Sequence, residues 1–177
     1  MHDVSASNIF LIGPMGTGKS TIGRALAKVM QRQFYDVDEV IEEKTGATVA
    51  WIFDIEGESG FRVREKRVVD ELTQKSSIVL ATSGGAVLDS ENRAMLASRG
   101  TVIYLKTSLS EQYERTKNDE KRPLLQVDNL KETLHQLNTE RELLYQDLAD
   151  ATFYTDHMGV KNVVNHIIAY LRGEHAH

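Results

Sequence analysis

Gly13-Pro14-Met15-Gly16-Thr17-Gly18-Lys19-Ser20-Thr21 is the stretch from which this chain is best read. It fits G-x-x-x-x-G-K-[ST], follows the apolar run Asn8-Ile9-Phe10-Leu11-Ile12, and opens a segment in which Ile22, Ala25, Leu26 and Val29 recur at helical spacing. Strand, glycine loop, helix is the arrangement of a phosphate-binding loop. Glycines let the backbone curl so that successive N–H groups converge on phosphate oxygens, and the new helix aims its positive end at the same anion. Lys19 adds a point charge for the β and γ phosphates, and the Ser20 hydroxyl is the type of ligand that Mg²⁺ takes. A glycine turn with no ligand would not need the lysine and hydroxyl together. The stretch reads as a nucleoside-triphosphate site.

Outward from the loop, apolar runs alternate with helical patterns. Phe34-Tyr35-Asp36-Val37-Asp38 reads as a short strand ending on two carboxylates, and Ser77–Thr82 as a buried parallel strand that runs into Ser83-Gly84-Gly85. Further strands are expected at Thr101–Lys106 and Ala151–Thr155. Helices are expected at Glu39–Lys44, Thr48–Phe53, from Phe61 to about Gln74, at Ser90–Ser98, from Ser108 to about Lys117, over Leu130–Ala149, and at the end, where Val160, Val163, Val164, Ile167, Ile168 and Leu171 would be buried. Gly57 and Gly60 bracket a turn. Alternating strands and helices predict an α/β three-layer sandwich, a five-stranded parallel sheet flanked by helices, as one domain over residues 1–177.

Composition narrows the function. A net charge of −5 argues against a nucleic-acid protein, and the absence of cysteine excludes disulfides and thiolate metal sites. No apolar run approaches the ~18 residues of a membrane span, and Met1–Ser7 does not read as a signal peptide. A cytoplasmic monomer with small-molecule substrates, no nucleic acid and no membrane is the expectation.

Ligands of such sheets collect beyond the carboxyl ends of the strands. Alternation along an extended strand would put Asp36 and Asp38 on one side, about 7 Å apart, one for Mg²⁺ and the other for a substrate hydroxyl; a helix cap at Asp38 is the plainer alternative. Gly84-Gly85 would let backbone approach a ligand. Positions 130, 134, 137, 141, 144 and 148 read Leu, Leu, Leu, Arg, Leu, Leu, so Arg141 interrupts an apolar helical face and should meet an anion unless it snorkels to water. Arg62 opens its helix beside Phe61. The polar 118–128 segment, with Lys121-Arg122-Pro123 and with Arg115 and Lys117 before it, reads as a mobile lid that carries positive charge to the transferring phosphoryl group. Asp54-Ile55-Glu56-Gly57 and Thr116-Lys117-Asn118-Asp119 imitate the D-x-x-G and [NT]-K-x-D of a GTPase, but both fall in helical rather than strand-end context.

Taken in order, the loop Gly13–Thr21, Asp36-x-Asp38, Gly60-Phe61-Arg62, Gly84-Gly85, Arg122-Pro123-Leu124-Leu125 and Glu140-Arg141 ahead of Leu144-Tyr145 resemble the shikimate kinase family over about Ile9–Leu171. The resemblance implies ATP-dependent phosphorylation of the 3-hydroxyl of shikimate, with ATP held by Gly13, Met15, Gly16, Thr17, Gly18, Lys19, Ser20, Thr21, Arg115 and Arg122. It implies Mg²⁺ on Ser20 and Asp36, and shikimate on Asp38, Arg62, Gly84, Gly85 and Arg141. Lys19, Asp38 and Arg122 would be the catalytic residues, in a substrate-binding subdomain near 36–65 under a lid near 118–128. Another small-molecule kinase, acting on gluconate or a nucleotide, is the alternative. Two positions depart from the family pattern. Ser83 stands for its first glycine, where it would either be strained or add a contact, and Leu143 stands for a proline that would bend the helix behind Arg141.

Overall fold

A computed structural model describes residues 7–119, 123–125 and 127–173. Its five strands, β1 (Asn8–Ile12), β2 (Gln33–Asp36), β3 (Ile78–Ala81), β4 (Gly100–Lys106) and β5 (Ala151–Tyr154), all pair in parallel in the order β2-β3-β1-β4-β5. The helices are α1 (Lys19–Met30), α2 (Val37–Thr45), α3 (Val49–Thr73), α4 (Ser90–Arg99), α5 (Leu109–Thr116), α6 (Leu130–Leu148) and α7 (Val160–Leu171), with short 3-10 turns at Ala86–Leu88 and Pro123–Leu125.

β1 explains the layering. Every residue of it is buried, and its side chains alternate between two cores. Ile9 and Leu11 pack with Ile22 and Leu26 of α1 and Val163, Val164 and Ile167 of α7. Phe10 and Ile12 pack on the other face with Ile41 of α2, Val69 and Leu72 of α3, Leu96 of α4 and Tyr145 of α6. A strand covered on both faces has no polar side to expose, which is why its sequence is a continuous apolar run. The order places β1 centrally, so the loop after it opens at the middle of the sheet's carboxyl edge.

Local differences from the expected elements have local causes. β2 ends at Asp36, not Asp38: the Asp36 Oδ1 accepts the Glu39 amide at 3.1 Å and caps α2, so Asp38 lies in the first helical turn and not in alternation with Asp36. A cap does form here, but on Asp36 and not on Asp38, where it was expected. Gly57 breaks α3 with φ 74° and ψ 178°, whereas Gly60 is helical, so the expected turn reduces to one residue. Val160, expected in the core, is 38% exposed because it begins α7 outside the packed face. Asp54, Glu56 and Thr116 are helical, which removes the strand-end context a GTPase switch requires.

Candidate active site

The loop after β1 is built by conformation. Gly16 and Gly18 have φ of 80° and 88°, and Gly18 caps α1 without a side-chain bond, leaving the helix amides open to a ligand. Gly16 is doubly constrained: a Cβ there would lie 2.7 Å from Thr116 Cγ2. The Thr17 hydroxyl donates to the Pro14 carbonyl at 3.0 Å, and Lys19, only 8% exposed, donates Nζ to the carbonyls of Gly13 and Pro14 at 2.6 and 2.7 Å. Ser20 donates its hydroxyl to Asp36 Oδ2. This pairs a neutral oxygen with an anionic one at the phosphate end, a hard donor set of the kind Mg²⁺ takes alongside waters and phosphates. Met15 lines the cleft, while Thr21 is exposed on the first turn of α1.

Helix α5 braces this loop. Gln112, fully buried, donates Nε2 to the Met15 carbonyl at 2.7 Å and accepts Asn138 Nδ2 of α6 at 2.7 Å. Arg115 spans from the Gly16 carbonyl (3.1 Å) to the Thr155 carbonyl and hydroxyl (both 3.3 Å) just after β5. It therefore sits at the rim of the phosphate loop. Arg122 lies outside the described residues.

A cleft of about 670 Å³ opens beside the loop, and Ser20, Asp36, Asp38, Arg62, Gly84 and Arg141 all reach it. Phe53 and Phe61, tilted with ring centroids 4.8 Å apart, form its apolar wall. The Nε atoms of Arg62 and Arg141 are buried without a hydrogen-bond partner among the described residues. Arg141, 4% exposed, does not snorkel. An orphaned buried guanidinium N–H is costly, so both side chains are arranged for an acceptor that enters the cleft. α6 runs unbroken through Leu143, and Arg141 still reaches the cleft. Its helix is pinned nearby. Tyr145 donates to the Gly84 carbonyl at 2.6 Å, and Glu142 accepts from Tyr104 and from Lys106 (2.6 Å). Burial pushes the Tyr145 hydroxyl up to about 12 against the pull of Arg141, so it stays a donor at neutral pH.

Behind Arg62 lies Glu65, 1% exposed, whose Oε2 accepts Arg62 Nη1 at 2.9 Å and also the Ser83 hydroxyl. Burial raises its pKa, while Arg62, Ser83 and Arg141 oppose the rise. Glu58 takes Arg62 Nη2 at 3.2 Å from the exposed side. Gly85 is small for a steric reason: a Cβ there would run into the Arg62 guanidinium. Sequence reasoning missed Glu65 and Gln112. Glu65 carried the same signal as Arg141, a charge inside the apolar stripe of Phe61, Val68, Val69 and Leu72. Gln112 carried none, because a buried amide between polar neighbours looks like a solvated one.

A family model described as shikimate kinase matches residues 15–172. A curated shikimate kinase of Legionella pneumophila (strain Corby) is 64% identical over 174 residues, 98% of this chain and 99% of the relative. Another, from Actinobacillus pleuropneumoniae serotype 5b, is 56% identical over 91% of this chain and 93% of its own. The solved structure of shikimate kinase from Acinetobacter baumannii in complex with shikimate superposes with a TM-score of 0.93 at 44% identity, covering 97% of this chain and 96% of that one.

Proposed function

The chain belongs to the shikimate kinase family, and from that membership we propose that its cleft transfers the γ-phosphoryl group of ATP to the 3-hydroxyl of shikimate. The new bond joins that oxygen to phosphorus as the bridge to ADP breaks, and the hydroxyl proton leaves to a base or water. In such a loose transition state, catalysis is mostly positioning and charge neutralisation. The observation that carries the reading is the meeting of the phosphate loop with two arginines, the partly exposed Arg62 and the buried Arg141, in one cleft, each with a buried Nε that has no partner among the described residues.

Lys19 would swing from the Gly13 and Pro14 carbonyls onto the phosphates, which replace those acceptors with charge. The loop amides from Gly13 to Thr21 would hold the β-phosphate, Ser20 and Asp36 would hold Mg²⁺, and Arg115 would lie against the adenine. Mg²⁺, when bound, neutralises charge on the phosphate oxygens. Arg62 and Arg141 would grip the substrate carboxylate, Gly84 and Gly85 would line its ring, and Asp38 would orient the 3-hydroxyl and accept its proton. Residues 36–65 would act as the acceptor subdomain. The 118–128 segment would close as a lid that brings Arg122 to the phosphoryl group. We place the enzyme in the cytoplasm, in keeping with a cysteine-free chain, and take it to act as a monomer.

ADP release is the test, measured with ATP and with shikimate, gluconate or a nucleoside monophosphate as acceptor. Shikimate should give the highest kcat/KM. A faster rate with another acceptor, or ADP release that ignores the acceptor, overturns the assignment.

A further inference from the structure

Arg62 lies between two carboxylates that differ in surroundings. Glu58 is half exposed, and its pair with Arg62 does little to fix a geometry. Glu65 is desolvated, so the direction of the guanidinium is set there. One oxygen of Glu65, Oε2, takes both Arg62 Nη1 and the Ser83 hydroxyl. Arg62 and Glu65 are both on α3, one turn apart, whereas Ser83 belongs to the loop after β3 that also carries Gly84 and Gly85. The Ser83 hydroxyl is thus a side-chain tie between helix and loop at the place where they jointly border the cleft. Ser83 itself is not among the described residues with left-handed φ, so no backbone requirement for glycine exists there. The loop divides its labour: Gly85 leaves room for the guanidinium, and Ser83 holds the carboxylate that aims it.

We propose that Ser83 is a positioning residue for the acceptor half: through Glu65 it fixes the orientation of Arg62 and so sets the affinity for the substrate carboxylate. This inference rests on the kinase reading above, with a carboxylate-bearing acceptor. Ser83→Ala leaves a buried carboxylate oxygen one donor short, and the carboxylate can then rotate with Arg62 following it.

The test compares Ser83→Ala, Ser83→Gly and Ser83→Thr with the unaltered enzyme. Loss of a hydrogen bond to a charged group predicts a rise of about tenfold in the KM for shikimate for both Ala and Gly. The KM for ATP and kcat should stay within about twofold, the signature of lost ground-state binding. Ser83→Thr, which keeps the hydroxyl, should restore most of the affinity. The use of two hydroxyl-free variants guards against one that folds poorly. Unchanged shikimate KM in either folded variant overturns the proposal, as does an equal rise in both KM values. If the unaltered enzyme fails to turn over shikimate, the functional reading falls and takes this inference with it. If only the Ser83 series is flat, the inference falls alone.

Discussion

The two halves of the cleft are made from different materials. The donor half is backbone: a run of consecutive residues whose glycines hold left-handed φ, whose lysine is parked on carbonyls, and whose amides await a ligand. The acceptor half is side chains brought from α3, the loop after β3 and α6, with Arg62 and Ser83 bonded to Glu65 and Arg141 close enough to act on its charge. Phosphate is common to every substrate of such a loop, and a backbone cradle suits an anion of fixed shape. Recognition of one particular acceptor needs charges at chosen distances, which only side chains supply. The donor half should therefore fail in turnover or in its hold on ATP when altered, and the acceptor half in its hold on shikimate.

The largest effect expected from that contrast is at Lys19. Lys19→Ala removes the charge that meets the transferring group, and kcat should fall about a thousandfold or more while shikimate still binds. Titration of shikimate into the variant, followed by calorimetry, reads the second part. Arg141→Lys is the counterpart. A point charge cannot replace the planar fork, so the shikimate KM should rise on the order of ten- to a hundredfold with little change in kcat. A collapse of kcat in Arg141→Lys would erase the division between the halves.

Two alanine substitutions at glycine sharpen it further. Gly16→Ala introduces a left-handed alanine against Thr116, a strain of about 1–3 kcal/mol that falls on the phosphate loop. Gly85→Ala pushes on Arg62 instead. Steady-state kinetics should show the first raising the KM for ATP and the second the KM for shikimate, each by about tenfold, a factor worth ~1.4 kcal/mol.

The same difference explains what could be read in the chain. The donor half was legible because its parts are contiguous and its glycines are dictated by φ. The parallel sheet was legible because a doubly covered strand such as β1 has to be apolar throughout. Arg141 was legible as a charge in an apolar stripe. What escaped was cooperation over distance. Nothing local says that Ser83 meets Glu65, 18 positions earlier, or that Gln112 reaches Met15, 97 positions earlier. The misreading of Asp36–Asp38 has a local cause as well. A capping aspartate ends a strand and starts a helix in one residue, and the alternation of the strand pattern conceals the change.

The smallest expected effect concerns protons. The groups that act on Glu65 are Arg62 on its own helix, Ser83 on the β3 loop and Arg141 on α6, and burial outweighs all of them in raising its pKa. Below that raised value Glu65 is neutral and releases Arg62, so the shikimate KM should begin to climb at a higher pH than exposed carboxylates would dictate. Ser83→Ala, which loses a bond favouring the charged form, should move this limb further up, and Glu65→Gln should show a raised KM with no such limb. Stability runs the other way. A carboxyl whose folded pKa lies above its unfolded one contributes stability that is fully present below the unfolded value and is lost as pH rises through the folded value. Mild acid should thus favour the fold through Glu65 while it loosens the grip on substrate, and Glu65→Gln should remove both dependences together. If melting temperature and shikimate affinity moved in the same direction across that window, Glu65 would not be the group that couples the acceptor half to pH.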